Sequence, residues 1–342
     1  MSDTKKEFET TARVLSKKLI SYALSEGAAS GVTDVEIYLS QNIKTSYAVE
    51  EGALASEITT PESKGVKVKI FVGDKALSFS CNSFNEADIK ATIKENINAI
   101  HLIPGNPNGV LLESNKLYTG PKEDLDQFDK TPLNAKVLID YAQKAEAAAL
   151  AVPGVKTSRA VSVLRSESYK LHIATNGIDK MEAATLYRAS AEIIAENKGV
   201  MEVCYEGSYA RHFEDMEDPS TLGKRAGQNA VAQIGATLPD TAEMPIILSP
   251  DAAETFFSSI YSAIKGSSVH VGTTFWRDKI GQKVTSEDVT LVDDPRIPRG
   301  VRSSVTDTAG QESKKIIFVK DGVLQQFNYD LLSARRMGVE RV

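Results

Sequence analysis

The order of the predicted helices and strands is the feature that most restricts how this chain can fold. A helix, several antiparallel strands and a second helix are predicted twice, first in residues 4–103 and again in residues 132–237. The two segments share little residue identity. We interpret the repeated order as a structural duplication, although helix–sheet–helix arrangements are common enough to recur by coincidence.

In the first segment, apolar residues at spacings of three and four predict a helix over residues 4–26, which Gly27 ends. Alternating apolar residues predict strands at Val35–Leu39 and Val66–Val72. The sequence Gly73-Asp74 predicts a hairpin turn into a partner strand that includes Leu77, Phe79 and Cys81. In the sequence SFNE, Ser83 and Glu86 predict a capping box at the start of the next helix.

The second segment is predicted to begin with a helix over residues 132–152, with Pro132 in its first turn. Strands are then predicted at residues 157–164, 169–175, 185–195 and 201–211, before a helix over residues 219–237. Residues 104–131 between the two segments are rich in Pro, Gly, Asn and Asp and show no periodicity. We expect this linker to wrap around the surface.

The last hundred residues are richer in predicted loops. We predict a short strand at Met244–Leu248, then a helix from Pro250 to Lys265 that Ser249 caps. Further strands are predicted at residues 289–292, 315–319 and 323–328, with a hairpin turn at Lys320–Gly322 and a short helix or turn at Leu331–Met337. The fold class is therefore α+β. An N-terminal domain (residues 1–240, with halves 1–103 and 132–240 and linker 104–131) precedes a mainly β domain (residues 241–342).

Composition and charge exclude several classes of function. No apolar run approaches the roughly 20 residues that span a bilayer, and the N-terminus contains no apolar signal core, so we expect no membrane association. The two cysteines, Cys81 and Cys204, suit a reducing cytoplasm. The net charge is −6, and because residues 241–342 contain 13 basic and 13 acidic residues, the excess lies in residues 1–240. An acidic chain without a basic stripe is not expected to bind nucleic acid.

Local spacing gives no metal site. The sequence contains four histidines that lie far apart: His101, His172, His212 and His270. Only His270, which follows the predicted helix at Pro250, is a candidate for function. Asp293-Asp294-Pro295 is interpreted as a turn rather than an acid–base pair, because neighbouring side chains point apart. Arg296, Arg299 and Arg302 recur at every third position. They either bind a peptide carboxylate or an acidic partner, or form a solvated loop.

Five short motifs occur in order in this region: GTTF (272–275), DKIGQ (278–282), VDDP (292–295), PRG (298–300) and ARRMG (334–338). Together they resemble the C-terminal signature of the PmbA/TldE arm of the TldD/PmbA family, also called modulators of DNA gyrase. Weaker matches extend the resemblance over nearly the whole chain, including Gly65–Gly73 and Ser208–Arg211. The resemblance implies a subunit of a cytoplasmic metallopeptidase that degrades or processes peptides.

In the TldD arm, the family binds zinc through two His of a His-Glu-x-x-x-His helix and a Cys, with the Glu as base. The matching positions in this sequence fall near Ser258, Ser259 and Ala263, which cannot supply those ligands or that base. The resemblance therefore implies a non-catalytic subunit that has no cofactor of its own, with zinc in a TldD-like partner. The alternatives are a stand-alone homodimeric protein that binds peptides without hydrolysis, and a self-sufficient metallopeptidase.

Contact with the peptide or the partner is predicted for two groups of residues, one on either side of position 290: Thr274, Asp278 and Gln282, and Asp294, Arg296 and Arg299. Family members continue beyond the ARRMG motif, so we expect the C-terminal domain here to be incomplete, with unpaired strand edges. We therefore expect at least a homo- or heterodimer, with residues 244–342 at or near the interface.

Overall fold

A computed structural model describes the backbone of residues 3–341, and the side chains in this range except at positions 3, 59–61 and 251. Within that part, no helix is long and apolar enough to cross a membrane. The fold combines helices with a large antiparallel sheet, in agreement with the α+β prediction.

The first half begins with helix α1 and ends with helix α2, and three strands lie between them: α1 Asp3–Glu26, β1 Asp34–Glu50, β2 Ala53–Val72, β3 Lys75–Cys81 and α2 Glu86–Ile97. The predicted capping box is wrong, because Asn85 rather than Ser83 is the N-cap of α2. The Asn85 side chain accepts hydrogen bonds from the amides of Ala87 and Asp88, and Ser83 instead accepts one from the amide of Asn85. Asn, like Ser, is a favoured N-cap, so the sequence allowed either position.

The second half repeats this order: α3 Ala135–Leu150, β4 Val155–Ala174, β5 Asp179–Asn197, β6 Val200–Ala210 and α4 Pro219–Gln233. Helix α3 starts after Pro132, because Asn134 caps it through the amide of Val137. The two strands predicted at residues 157–164 and 169–175 form the single strand β4. The residues between them stay paired with β1 on one side and β5 on the other, which satisfies their backbone groups without a turn.

The two halves share one six-stranded sheet with the order β3-β2-β1-β4-β5-β6. The antiparallel pairing of β1 with β4 joins them, for example at Gln41 opposite Tyr169. One face of the sheet packs against the four helices in two hydrophobic cores, one for each half. We call the other face, which includes Glu36, Tyr38 and Lys44 of β1, the open face. This arrangement confirms the predicted pair of helix–sheet–helix halves.

The linker, residues 104–131, is held against the rest of the chain. The guanidinium of Arg335 donates hydrogen bonds to the carbonyls of Val110 and Leu111, and Asn176 donates one to the carbonyl of Leu112. Because these contacts come from the turn after β4 and from the C-terminal region, the linker lies between the sheet and that region.

Residues 241–341 contain three helices and three short strands around a small core that includes Trp276 and Phe318: α5 Pro250–Ala263, α6 Gly266–Val271, β7 Leu291–Asp293, β8 Ile316–Lys320, β9 Val323–Leu324 and α7 Leu331–Met337. The cap at Ser249, the hairpin turn at Lys320–Gly322 and the bounds of α7 agree with the predictions. The predicted strand at Met244–Leu248 is wrong: within residues 3–341 the segment has no strand partner, and Ile247 is 99% exposed.

Candidate functional site

The loop of residues 294–313, which we call the C-terminal loop, holds three of the predicted site residues. Arg296 donates to the Ser313 carbonyl at 3.0 Å, to Glu123 of the linker at 2.9 Å and to Glu312 at 2.9 Å. These contacts border an open polar cavity of about 390 Å³ between residues 116–120 and the end of the loop. The charge of Arg296 is thus already neutralised inside the chain.

Arg299 makes a second junction with the linker. Its guanidinium donates to Asp126 at 2.6 Å, to Glu214 at 2.6 Å and to Asp215 at 3.0 Å, and its amide donates to the Leu125 carbonyl. The hydrogen bond from Arg299 holds the pKa of Asp126 below its usual value. Arg299 and Asp126 both have left-handed backbones, with φ of 58° and 51° respectively. Such strain persists only where surrounding contacts enforce it.

Asp294 lies at the start of the C-terminal loop. It forms an ion pair with Lys315 at 3.0 Å and accepts a hydrogen bond from the Arg296 amide, and both contacts lower the pKa of its carboxyl. Burial and the neighbouring charge of Asp294 raise the pKa of Asp293. The hydrogen bond that Asp294 accepts from the amide two residues later is typical of an Asx turn, in agreement with the turn interpretation of this sequence.

The third arginine of the series differs from the other two. Arg302 is exposed, and within residues 3–341 its side chain has neither a hydrogen bond nor an ion pair. Two residues further on, Ser304 accepts from Lys180 and donates to Glu182, both of β5. The C-terminal loop therefore continues onto the open face of the sheet, with a free cation close to that contact.

The other three predicted residues lie elsewhere. Thr274 is 7% exposed and accepts a hydrogen bond from the Trp276 amide. Gln282 is exposed, and its side chain donates to the Asp278 carbonyl. The Gln282 carbonyl accepts from Leu324 of β9, whereas Asp294 follows β7 at the opposite edge of the small sheet. The structure therefore separates the six residues into two groups and does not bring them to one point.

Helix α5 contains the positions near which the zinc ligands of the TldD arm are expected to fall. Ser258 and Ser259 are exposed, and the Ser258 hydroxyl donates to the Thr255 carbonyl of the same helix. Ala263 is buried in the small C-terminal core. In the described part of the chain, no three His, Cys, Asp or Glu side chains converge as a metal site. The expectation that this chain has no cofactor stays a prediction.

The acidic partners of Arg299 were not identified from the sequence. His212 also joins this junction, because its Nε2 lies 2.9 Å from the Asp126 carbonyl and its Nδ1 lies 3.9 Å from Asp129. Burial opposes the charge of Asp129, yet hydrogen bonds from Thr131 and Phe213 hold its pKa below the usual value. These residues are separated from Arg299 by 84 residues or more, so no local spacing could show the contacts.

The fold and the contacts of Arg299 define an α+β protein in which two helix–sheet–helix halves are held to a loop-rich C-terminal region. Two family models match it: the PmbA/TldA metallopeptidase central domain over residues 128–234 and the PmbA/TldA metallopeptidase C-terminal domain over residues 241–342. The chain belongs to the PmbA/TldD family, as its C-terminal motifs predicted. Members of this family are named metalloproteases.

Related proteins of known name agree with this family assignment. The chain is 24% identical to metalloprotease PmbA of Escherichia coli O157:H7 over 95% of this chain and 72% of that protein. It is 25% identical to a metalloprotease TldD homologue of Haemophilus influenzae over 89% of this chain and 64% of that one.

Among solved structures, the fold superposes on a protein of Bacteroides thetaiotaomicron, described as a modulator of DNA gyrase, with a TM-score of 0.86 and 21% identity over 95% of this chain and 74% of that one. It also superposes on TldE of Thermococcus kodakarensis with a TM-score of 0.79 and 20% identity over 96% and 72%.

Proposed function

We propose that the chain is a non-catalytic, PmbA/TldE-like subunit of a cytoplasmic zinc metallopeptidase complex of the TldD/TldE type, which degrades or processes peptides. The observation that carries this proposal is helix α5. The His-Glu-x-x-x-His motif of the TldD arm falls near Ser258, Ser259 and Ala263, which offer neither imidazole ligands nor a carboxylate base. Zinc and its chemistry would belong to a TldD-like partner.

The C-terminal region supports a role in association. Large apolar side chains are exposed on α5 and in the segment before it: Leu238, Met244, Ile246, Ile247, Leu248, Phe256, Phe257 and Tyr261. An exposed apolar surface of this kind is typical of a protein–protein interface. A second copy of the chain would use the same surface in the alternative function, a homodimeric peptide-binding protein without hydrolytic activity.

The six predicted contact residues take two roles in this proposal. Asp278 and Gln282 are exposed and available for direct contact with a peptide or partner. Arg296 and Arg299 are engaged by carboxylates of the chain itself, so they would act by holding the C-terminal loop in place. Asp294 and Thr274 would shape the turns that follow them, because each side chain accepts a hydrogen bond from the amide two residues later.

Reconstitution tests the proposal. The chain is co-expressed with a TldD-like protein encoded in the same genome, and the purified complex is assayed with unfolded peptides. We expect a stable heteromer whose hydrolysis needs both chains and stops when the motif Glu of the partner is changed to Gln. A chain that forms only homodimers and binds peptides without hydrolysis would favour the alternative function.

A further inference from the structure

The open face of the large sheet presents a positive surface that the proposed function leaves unused. Its middle part consists of five rows of side chains that run across the sheet. Each row contains one residue of β1, taken at every second position from Ser40 to Ala48, together with the residues paired with it on β2, β4, β5 and β6. Lys44, Lys170 and Arg188 lie in these rows and are exposed. Within residues 3–341, none of the three has an ion pair or a side-chain hydrogen bond.

Acidic side chains are scarce on this surface. Among the side chains of the five rows, the one carboxylate is Glu182, which already forms an ion pair with Lys180 at 2.9 Å. Of the two neighbouring rows, one contains the exposed cation Lys67 opposite Tyr38. The other contains Glu50 and Glu192, of which Glu192 forms an ion pair with Arg159. Within the five rows themselves, three cations stand against one carboxylate. The surface is therefore locally positive although the chain as a whole has a net charge of −6.

Serines surround these cations. Ser40, Ser46 and Ser168 donate their hydroxyl hydrogens to carbonyls of neighbouring strands at 3.4–3.5 Å. Each of these hydroxyl oxygens keeps lone pairs that can accept a hydrogen bond. The surface thus offers both cations for carboxylates and acceptors for backbone N–H groups.

We infer that the open face binds an acidic, extended segment of polypeptide. Lys44 lies opposite Ser166, and Lys170 is four residues from Ser166 along β4, so the two cations are about 13 Å apart along the strands. In an extended peptide, carboxylates at every fourth residue have the same spacing of about 13 Å. The phosphates of a nucleic acid follow one another much more closely, and cations this far apart would neutralise few of them.

This inference names a substrate class and rests on the proposed function for its biological use. The C-terminal loop borders the surface where Ser304 contacts Glu182, and the exposed Arg302 is two residues away. An acidic segment held on the open face would therefore extend toward the C-terminal region, where the partner is proposed to associate.

Fluorescence anisotropy with the full chain tests the inference. The probe is a labelled peptide of about twelve residues with Glu at every fourth position in a Ser/Asn/Gly background, and its counterparts carry Lys or Gln at those positions. We expect the Glu peptide to bind most tightly, and its binding to weaken at high salt because these charges are exposed.

A pair of triple variants supplies the control. Changing Lys44, Lys170 and Arg188 to Gln should weaken binding of the Glu peptide about fivefold or more, from three exposed charge contacts. Changing Lys17, Lys144 and Lys224 to Gln alters the net charge equally, but these exposed lysines lie on α1, α3 and α4, on the other side of the sheet. This control should bind as the unchanged chain does, and thermal melts establish that both variants fold.

Three results would overturn the inference: equal binding of the Glu and Lys peptides, equal losses in the two triple variants, or tighter binding of an oligothymidylate of the same length. Neither zinc nor hydrolysis enters this assay. Its failure therefore leaves the proposed subunit role intact, and a failure of that role in the reconstitution leaves the binding result unchanged.

Discussion

A single buried carboxylate fixes the tip of the β1–β2 hairpin to helix α3. Glu146 of α3 is 1% exposed, and it accepts hydrogen bonds from the amides of Glu51 and Gly52 at 3.0 and 2.7 Å and from the Ser158 hydroxyl. Glu51 and Gly52 form the left-handed turn between β1 and β2. The carboxylate therefore satisfies donors that the hairpin itself leaves unpaired.

Glu146→Ala should lower the free energy of unfolding by about 3 kcal/mol, because it leaves buried donors without an acceptor. Denaturant unfolding at neutral pH measures the change. Lys144→Ala, at an exposed position of the same helix, should stay within about 0.5 kcal/mol of the unchanged chain. Equal stability of the two variants would show that the turn does not depend on Glu146.

Glu36 gives the stability of the chain a dependence on pH. Burial raises the pKa of this carboxyl, but hydrogen bonds from His172 and Tyr38 outweigh burial and bring it below the ordinary value of 4.5. A carboxyl whose folded pKa is lowered stabilises the fold above the ordinary pKa, and this stabilisation is lost as the pH falls through the folded pKa.

Glu36→Gln should therefore cost about 1–2 kcal/mol at pH 7, where a charged hydrogen bond is lost. The difference between the two proteins should shrink as the pH falls from about 6 to below 4. Unfolding curves at a series of pH values measure it. A difference that stays constant or grows at acid pH would contradict the assignment.

The boundaries of helices that depend on local signals could be predicted from the sequence. Ser249 and Pro250 mark the start of α5, and the apolar spacing of α1 gave bounds within a residue. The contacts of Arg299 could not be predicted in this way, because its partner Asp126 is 173 residues distant in sequence. The site residues were named from motifs, but their division into two groups follows from tertiary pairing alone.

The Arg299 junction holds the linker to the C-terminal loop, and its loss should be visible as local opening. In Arg299→Ala, proteases should cut residues 119–131 several times faster than in the unchanged chain, because local opening rather than global unfolding controls such cleavage. Arg302→Ala is the matched control: it removes an arginine of the same loop that has no partner in residues 3–341. Equal cleavage of both variants would contradict the role of the junction.

At the scale of the molecule, the two halves form one sheet, whereas the connection to α5 is the least protected part of the described chain. All residues from 235 to 250 are exposed. By contrast, contacts from Arg296, Arg299 and Arg335 hold the linker.

Limited proteolysis should therefore cut first between residues 235 and 249, and only later in residues 104–131, since exposed segments with few contacts are cleaved first. Mass spectrometry of the first fragments identifies the site. A first cut within β1 or β2 would contradict the observed pairing of the sheet.

We propose that this chain is a PmbA/TldD-family subunit without a catalytic zinc site. The most direct test is the metal content of the pure chain, measured by inductively coupled plasma mass spectrometry after dialysis against zinc and then against buffer, together with its hydrolysis of unfolded peptides. We expect far less than one zinc per chain and no hydrolysis until a TldD-like partner is added. One tightly bound zinc per chain, with hydrolysis by the chain alone, would contradict it.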